Sequence, residues 1–303
     1  MTKRFTTIAV LSLILLPVAA QAADPGRTVL SFLKLGVDAR ATAMGEAYVA
    51  VAGDAAASYW NPAGLLRIEK NDVLGMHNAW VQDLRHDFVG AALHRGRHAA
   101  GVSFIGLFTD DLERRDDTGK AGGSFGYSDV SVSGSYAFQV TQDIGLGATV
   151  RYLRESIDNQ NLSGFAYDFG GYWDTPLDHL TAAASLRNLG GQMSFDFEGA
   201  GSFDLPTTLQ AGLAYTFPDL AGGRLLLASD FVAASGDDGS FHAGAEYAIK
   251  QVFLIGAGIK TGLDNENVSF GLGYDNNVRL HYAFTPLDSD LGNAHRFSLG
   301  YAW

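Results

Sequence analysis

The chain has 303 residues, a formal charge of −12, 37 glycines, seven prolines and no cysteine. An acidic balance with no basic stripe excludes a nucleic-acid partner, and the missing thiols exclude disulfides and thiolate metal sites. Abundant glycine and aromatics with little proline suit antiparallel strands packed closely together.

Residues 1–22 read as a secretory signal: Lys3 and Arg4, an apolar run from Phe5 to Val18, then Ala20-Gln21-Ala22 as a small-x-small cleavage site. No later apolar run reaches the roughly 18 residues of a membrane helix, so a membrane-embedded mature chain must be a barrel. From 23–69 the chain is rich in alanine and glycine and shows no sustained period of two.

Over 70–303 the pattern changes to alternation. Ile144, Leu146, Ala148, Val150 and Tyr152 oppose Gly145, Gly147, Thr149 and Arg151, and Leu209 to Phe217 repeats the pattern. Val268, Phe270, Leu272 and Tyr274 oppose Ser269, Gly271 and Gly273. In the last segment Phe297, Leu299, Tyr301 and Trp303 oppose Arg296, Ser298, Gly300 and Ala302. The spacing predicts about fourteen strands, near 72–80, 87–94, 98–108, 128–139, 143–153, 164–174, 180–187, 206–217, 224–232, 240–249, 252–260, 267–274, 278–285 and 294–303. Most reach the roughly 9–11 residues that a tilted membrane strand needs. Alternate joins are short, such as Arg95-Gly96-Arg97 and Lys250-Gln251. Those between them are longer and polar, including Thr109 to Tyr127, Arg154 to Ser163 and Asn188 to Leu205.

The predicted fold is therefore all-β: a transmembrane antiparallel barrel of the bacterial outer membrane, with short periplasmic turns, longer outer loops and both termini in the periplasm. Outer-membrane lipid and lipopolysaccharide are the expected surroundings. A soluble propeller or sandwich also alternates, but a propeller repeats every 40–50 residues or so and no such repeat is found.

Three stretches carry a family resemblance. Gly36 to Gly45 (Gly-Val-Asp-Ala-Arg-Ala-Thr-Ala-Met-Gly) runs through Asp54 to Tyr59-Trp60-Asn61-Pro62-Ala63-Gly64-Leu65; Arg187 to Gly191 and Leu205 to Leu209 follow. Together they resemble the PorV/PorQ family, which is similar to the FadL-type channels. The resemblance implies a hatch inside a fourteen-stranded barrel, with Arg40, Met44, Gly45, Asp54, Trp60, Asn61, Pro62, Ala63 and Gly64 as its motif and 23–69 as its extent. Glu46 departs from the family, standing where a second glycine is common. Pro62 fixes its own φ and biases Asn61 away from helix, which suits a stiff turn among small residues. A short periplasmic helix outside the barrel is the alternative.

No enzyme chemistry and no cofactor are expected. Gly122-Gly123-Ser124-Phe125-Gly126 matches G-x-S-x-G, yet sits in a glycine-rich loop rather than a strand–turn–helix. Asp288 to Asn293 lacks the glycine and closing acid of a calcium loop. His242 and Glu246 share a face but stand about 13 Å apart along a strand, too far for one metal. Asp110, Asp111, Glu113, Arg114, Arg115, Asp116 and Asp117 form a charged outer loop.

If the aromatic face meets lipid, then Arg151, Asp168, Arg187, Asp230, Glu246, Arg279, His281 and Arg296 line the interior, as a salt-bridged lumen more than a selective pore. Gly271→Ser on that face is expected to be mild apart from packing. Trp303 is expected to act as an assembly signal. The resemblance implies a noncatalytic carrier or scaffold for secreted or envelope proteins, linked to type IX secretion. A FadL-like passive channel for small hydrophobic molecules is the alternative, and a lipase or protease is third.

Overall fold

The structure is a computed structural model and describes residues 28–80, 84–109, 112–197, 199–262, 266–287 and 292–303. The signal segment 1–22, Asp110, Asp111 and Asp288 to Leu291 lie outside the described residues.

The strands in chain order are β1 (Asp72–Ala79), β2 (Arg85–Arg95), β3 (His98–Phe108), β4 (Leu112–Arg115), β5 (Ala121–Phe125) and β6 (Tyr127–Gln139). Next come β7 (Ile144–Ile157), β8 (Gln160–Asp174), β9 (Leu180–Leu189), β10 (Met193–Ser194), β11 (Ser202–Phe203) and β12 (Thr208–Leu220). The last are β13 (Gly223–Ala234), β14 (Ser240–Ile249), β15 (Phe253–Thr261), β16 (Val268–Asp275), β17 (Val278–Pro286) and β18 (Asn293–Ala302). Fourteen form a closed antiparallel barrel; β4–β5 and β10–β11 are small separate hairpins. Closure runs through β1 and β18, in register from Asp72↔Ala302 to Ala79↔His295. The fourteen predicted strands all occur.

Their alternation is inverted relative to a soluble protein. On β18, Phe297, Leu299 and Tyr301 are 54%, 59% and 48% exposed, whereas Arg296 and Ser298 are 1% and 4% exposed. Leu272 on β16 and Phe169 on β8 also point out, while Asp168, Glu246 and His281 are buried. A wall that presents apolar side chains outward and polar or small ones inward suits a hydrocarbon solvent, with polar groups paired inside.

Two expectations change. Arg154 to Ser163 is not a loop: β7 and β8 stay paired out to Ile157↔Gln160, with Asp158 at φ 55 in a two-residue turn. Asp-Asn accepts the left-handed backbone that such hairpin turns require, so the strands extend beyond their apolar stretch. The barrel's own ends do meet at the short-turn end, where the Trp303 N–H donates to the Asn71 carbonyl at 3.0 Å. The first described residue, however, lies at the opposite end: Thr28 bridges to Asp204 in the long join between β9 and β12.

From there residues 28–69 run through the interior. They include a 3₁₀ turn at Ser31–Lys34, a helix at Ala39–Ala43, a helix at Ala57–Trp60 and a 3₁₀ turn at Pro62–Arg67. Val37, Met44, Tyr48, Ala57, Trp60, Ala63 and Leu65 are almost wholly buried, and the main hydrophobic cluster is built around them.

Candidate functional site

The inner segment meets the wall in two places. At the first, Asn61 is extended (φ −163°) ahead of Pro62, and its side chain takes up the backbone groups that the turn leaves over. Oδ1 accepts from Ala63 N–H at 3.1 Å, while Nδ2 donates to the carbonyls of Val49 at 3.0 Å and Gly171 at 3.2 Å. The wall beneath is glycine. Gly147 on β7 and Gly170 on β8 are cross-strand partners. A β-carbon at Gly147 would lie 2.5 Å from the Pro62 carbonyl carbon and from Ala63 N, and one at Gly170 would overlap Asn61 Oδ1.

At the second place, Ala43, Met44 and Gly45 lie against β14, β15 and β16. Gly244 pairs with Gly258, and Gly256 with Gly271. A β-carbon at Gly244 would meet the Met44 backbone, one at Gly258 the Gly45 backbone, and one at Gly271 the Ala43 side chain. Packing therefore decides the outcome at Gly271, and serine there is not a mild change. Gly45 itself adopts φ +61, a region where glycine carries no side-chain penalty.

Charge surrounds this second contact. Arg40 donates to both oxygens of Glu246, at 2.6 and 2.8 Å. Glu46 accepts from Lys260 at 3.0 Å and from Arg296 at 3.2 Å, Lys260 also meets Glu266 at 2.7 Å, and Arg296 donates to Thr42 Oγ1 at 2.5 Å. Glu46 follows Gly45 in the left-handed region, at φ 61. An ordinary residue loses roughly 1–2 kcal/mol there relative to glycine. The two cations bonded to its carboxylate, Lys260 and Arg296, offset that cost.

Further contacts span the lumen. Asp230 accepts from the N–H groups of Tyr48 and Val49, at 2.8 and 3.0 Å. Arg279 pairs with Asp72 at 2.5 Å and reaches Asp54 at 3.9 Å. Arg151 bonds Asp168 at 2.6 Å and the Ser58 carbonyl at 3.2 Å. Removing one partner from such a buried pair typically costs about 3–5 kcal/mol, because the other charge is left uncompensated. The pairs consequently fix position more surely than they add stability.

The motif residues gather inside the barrel with distinct roles. Arg40 forms an ion pair, Met44 and Gly45 occupy the glycine seat, and Asp54 Oδ1 accepts from Ala56 N–H at 2.9 Å. Trp60 donates its indole N–H to the Val37 carbonyl at 3.0 Å and packs edge-on against Tyr59 and Tyr48. Pro62 and Ala63 form the turn, and Gly64 lies so close to the Ala52 carbonyl that a β-carbon would overlap it. Trp303 lies apart from them, on the outer face, 51% exposed and stacked parallel to Tyr301. The other two resemblance stretches interlock: Asn188 Nδ2 donates to the Pro206 carbonyl at 3.2 Å, and Thr207 Oγ1 to the Asn188 carbonyl at 3.2 Å. Asn188 sits at φ 60 beside a register shift between β8 and β9, with its N–H bonded to Asp168 at 2.8 Å.

Sequence reasoning missed Lys260, the hub role of Glu46 and the use of glycine pairs as seats. The available signal was that Gly244, Gly256, Gly258 and Gly271 all fall on the inward positions of alternating strands. Gly122 to Phe125 belong to the exposed β4–β5 hairpin, with Gly126 just after it, rather than to a nucleophile turn. Among the described residues no group of three His, Asp or Glu is placed to hold a metal.

Above the second contact, towards the long-loop end, lies a cavity of about 150 Å³. The inner segment contributes Leu35, Glu46 and Trp60 to it; the wall contributes Arg187, Gln210 and Lys260.

The sequence matches the family described as Type IX secretion system protein PorV over residues 19–221. Comparison with curated proteins finds no match. Among solved structures, the Ralstonia pickettii toluene transporter TbuX is similar with a TM-score of 0.64 and 15% identity, over 88% of this chain and 98% of that one. The Pseudomonas putida toluene transporter TodX gives 0.62 at 13% identity, over 88% and 99%. A Pseudomonas aeruginosa FadL homologue gives 0.57 at 14%, over 87% and 97%. At these identities the likeness is one of fold.

Proposed function

This chain belongs to the PorV family of outer-membrane barrels, and from that premise we propose that it is a noncatalytic carrier or scaffold for secreted or envelope proteins, in protein secretion or surface assembly of the type IX kind. The observation that carries this reading is the way the inner segment crosses the lumen. It is seated on glycine pairs at two places, and buried ion pairs tie it to β14, β15 and β18. A solute path would require those seats to be vacated and the charges separated. A carrier needs only a stable rim, and the β4–β5 and β10–β11 hairpins enlarge the long-loop end, read here as the cell exterior, to offer one.

The second reading is a passive conduit for small hydrophobic molecules; TbuX and TodX are toluene transporters. One feature favours it: an apolar groove on the lipid-facing wall between β16 and β2. Gly75, Gly273 and Gly300 thin the wall there, and the inward Met76 and His281 reach the groove.

One pair of measurements separates the two. Purified protein in planar bilayers is expected to show little conductance and no acceleration of fatty-acid or toluene entry into liposomes. A photocrosslinker at Asp117 or Gly199, in the two outer hairpins, is expected to capture a protein partner in native membranes. Rapid uptake without a captured partner would make the conduit the better description.

A further inference from the structure

The cavity at the long-loop end has in its wall a cation that forms no ion pair among the described residues. Arg187, on β9, is 4% exposed and lies over the rings of Tyr59 and Trp60, 4.6 and 5.4 Å from their centroids. Nη2 donates to Gln210 Oε1 at 3.0 Å, while Nε and Nη1 are buried with no hydrogen-bond partner among the described residues. Aromatic faces attract a guanidinium but do not take up N–H groups directed away from them.

The other cations lining the cavity are matched. Lys34 pairs with Asp237 at 2.9 Å, Lys260 with Glu46 and Glu266, and Arg296 with Glu46. Asp230 accepts from Tyr48, Val49 and Gln210 through Oδ2 alone, and its charge acts on Arg187 from beyond ion-pair distance. Arg187 alone among these lining cations has no carboxylate within ion-pair distance in the described residues, whereas buried charges are ordinarily paired.

The rest of the cavity limits what could supply the missing charge. Leu35, Trp60, Val232 and Ala234 give it an apolar side. Its volume, about 150 Å³, is close to that of the engineered apolar cavity of about 150 Å³ that admits benzene. Asp238 stands exposed at the lining, which disfavours multiply charged anions. We propose that this cavity binds a small organic carboxylate, no larger than benzoate, with its carboxylate on Arg187 and its apolar part against Trp60 and Val232. Because Trp60 belongs to the inner segment and Arg187 to the wall, the ligand bridges the two. The site stands independently of whether the barrel carries proteins or solutes.

Isothermal titration of the folded mature protein in detergent tests this with four probes: benzoate, acetate, inorganic phosphate and toluene. Benzoate is expected to bind saturably at one site and tighter than each of the others. Arg187→Gln should weaken benzoate at least tenfold. Ala234→Leu, which fills the apolar side and leaves Arg187 in place, should do the same and remains informative if Arg187→Gln fails to fold. Absence of saturable benzoate binding overturns the proposal. So does phosphate or toluene binding as tightly as benzoate, or benzoate affinity unchanged in either folded variant.

Discussion

The Asn61–Ala63 turn and the Ala43–Glu46 bend both press backbone onto paired glycines, but different forces hold them there. The turn is neutral: Asn61 bonds to peptide groups at 3.0 to 3.2 Å, with no ion pair at the Gly147–Gly170 seat itself. The bend is ionic: Arg40 and Glu46 face Glu246, Lys260 and Arg296 from three different strands. Peptide hydrogen bonds depend on geometry and hardly on salt or protonation. A buried charge cluster fixes one arrangement strongly and is severely upset by losing a single member. The turn therefore has the character of an anchor, and the bend that of a latch.

Filling the seats should give the largest effects and test the shared feature. Gly147→Leu and Gly258→Leu each drive a whole side chain into inner-segment backbone, an overpacking that no rotamer change relieves and that unseats the segment. Both should lose the heat-modifiable folded band on gels, whereas Gly134→Leu, with nothing within 4 Å of its β-carbon position, should keep it. Equal behaviour of all three variants would remove the seats from the account.

Glu46→Gln should come next, at about 3–5 kcal/mol in urea titrations of the reconstituted barrel. The double variant Glu46→Gln/Arg296→Met should recover part of that loss, because Arg296 has no other carboxylate within ion-pair distance among the described residues, whereas Lys260 keeps Glu266. A double-mutant cycle with no coupling would show that the latch is not a unit. Asn61→Ala should be the mildest, at roughly 1–3 kcal/mol for unsatisfied backbone groups. Its cost should be unchanged between low and high salt, and a strong salt dependence there would erase the distinction between anchor and latch.

Much of this architecture was legible. Alternation such as Phe297, Leu299 and Tyr301 against Arg296 and Ser298 places strands and faces together, because a strand's side-chain period is two. Loop lengths were less legible: Asp158-Asn159 was obscured by the polar residues around it, although the strands continue to that point. The resemblance located Asn61 to Gly64, but the partners of that segment were beyond reach. Lys260 looks like a strand-end lysine in sequence. Only the barrel's closure brings it to Glu46, more than two hundred residues earlier in the chain. The same holds for the glycine seats, whose meaning depends on which backbone lies opposite.

The entry of residues 28–69 at the long-loop end constrains the order of assembly. With β1 following the segment directly and closing the ring against β18, the segment has to be in place, or pass through the lumen, before Asp72 and Ala302 zip together. Strand pairing at that seam joins the two ends of the barrel sequence and so makes the most sequence-distant contacts in the wall, which form slowly in general. A barrel built without its first 69 residues would accordingly be no open pore but a ring facing inward with Asp230, Glu246, Lys260 and Arg279 stripped of inner-segment partners. Such a ring has strong reason to collapse, to flood or to stay unclosed.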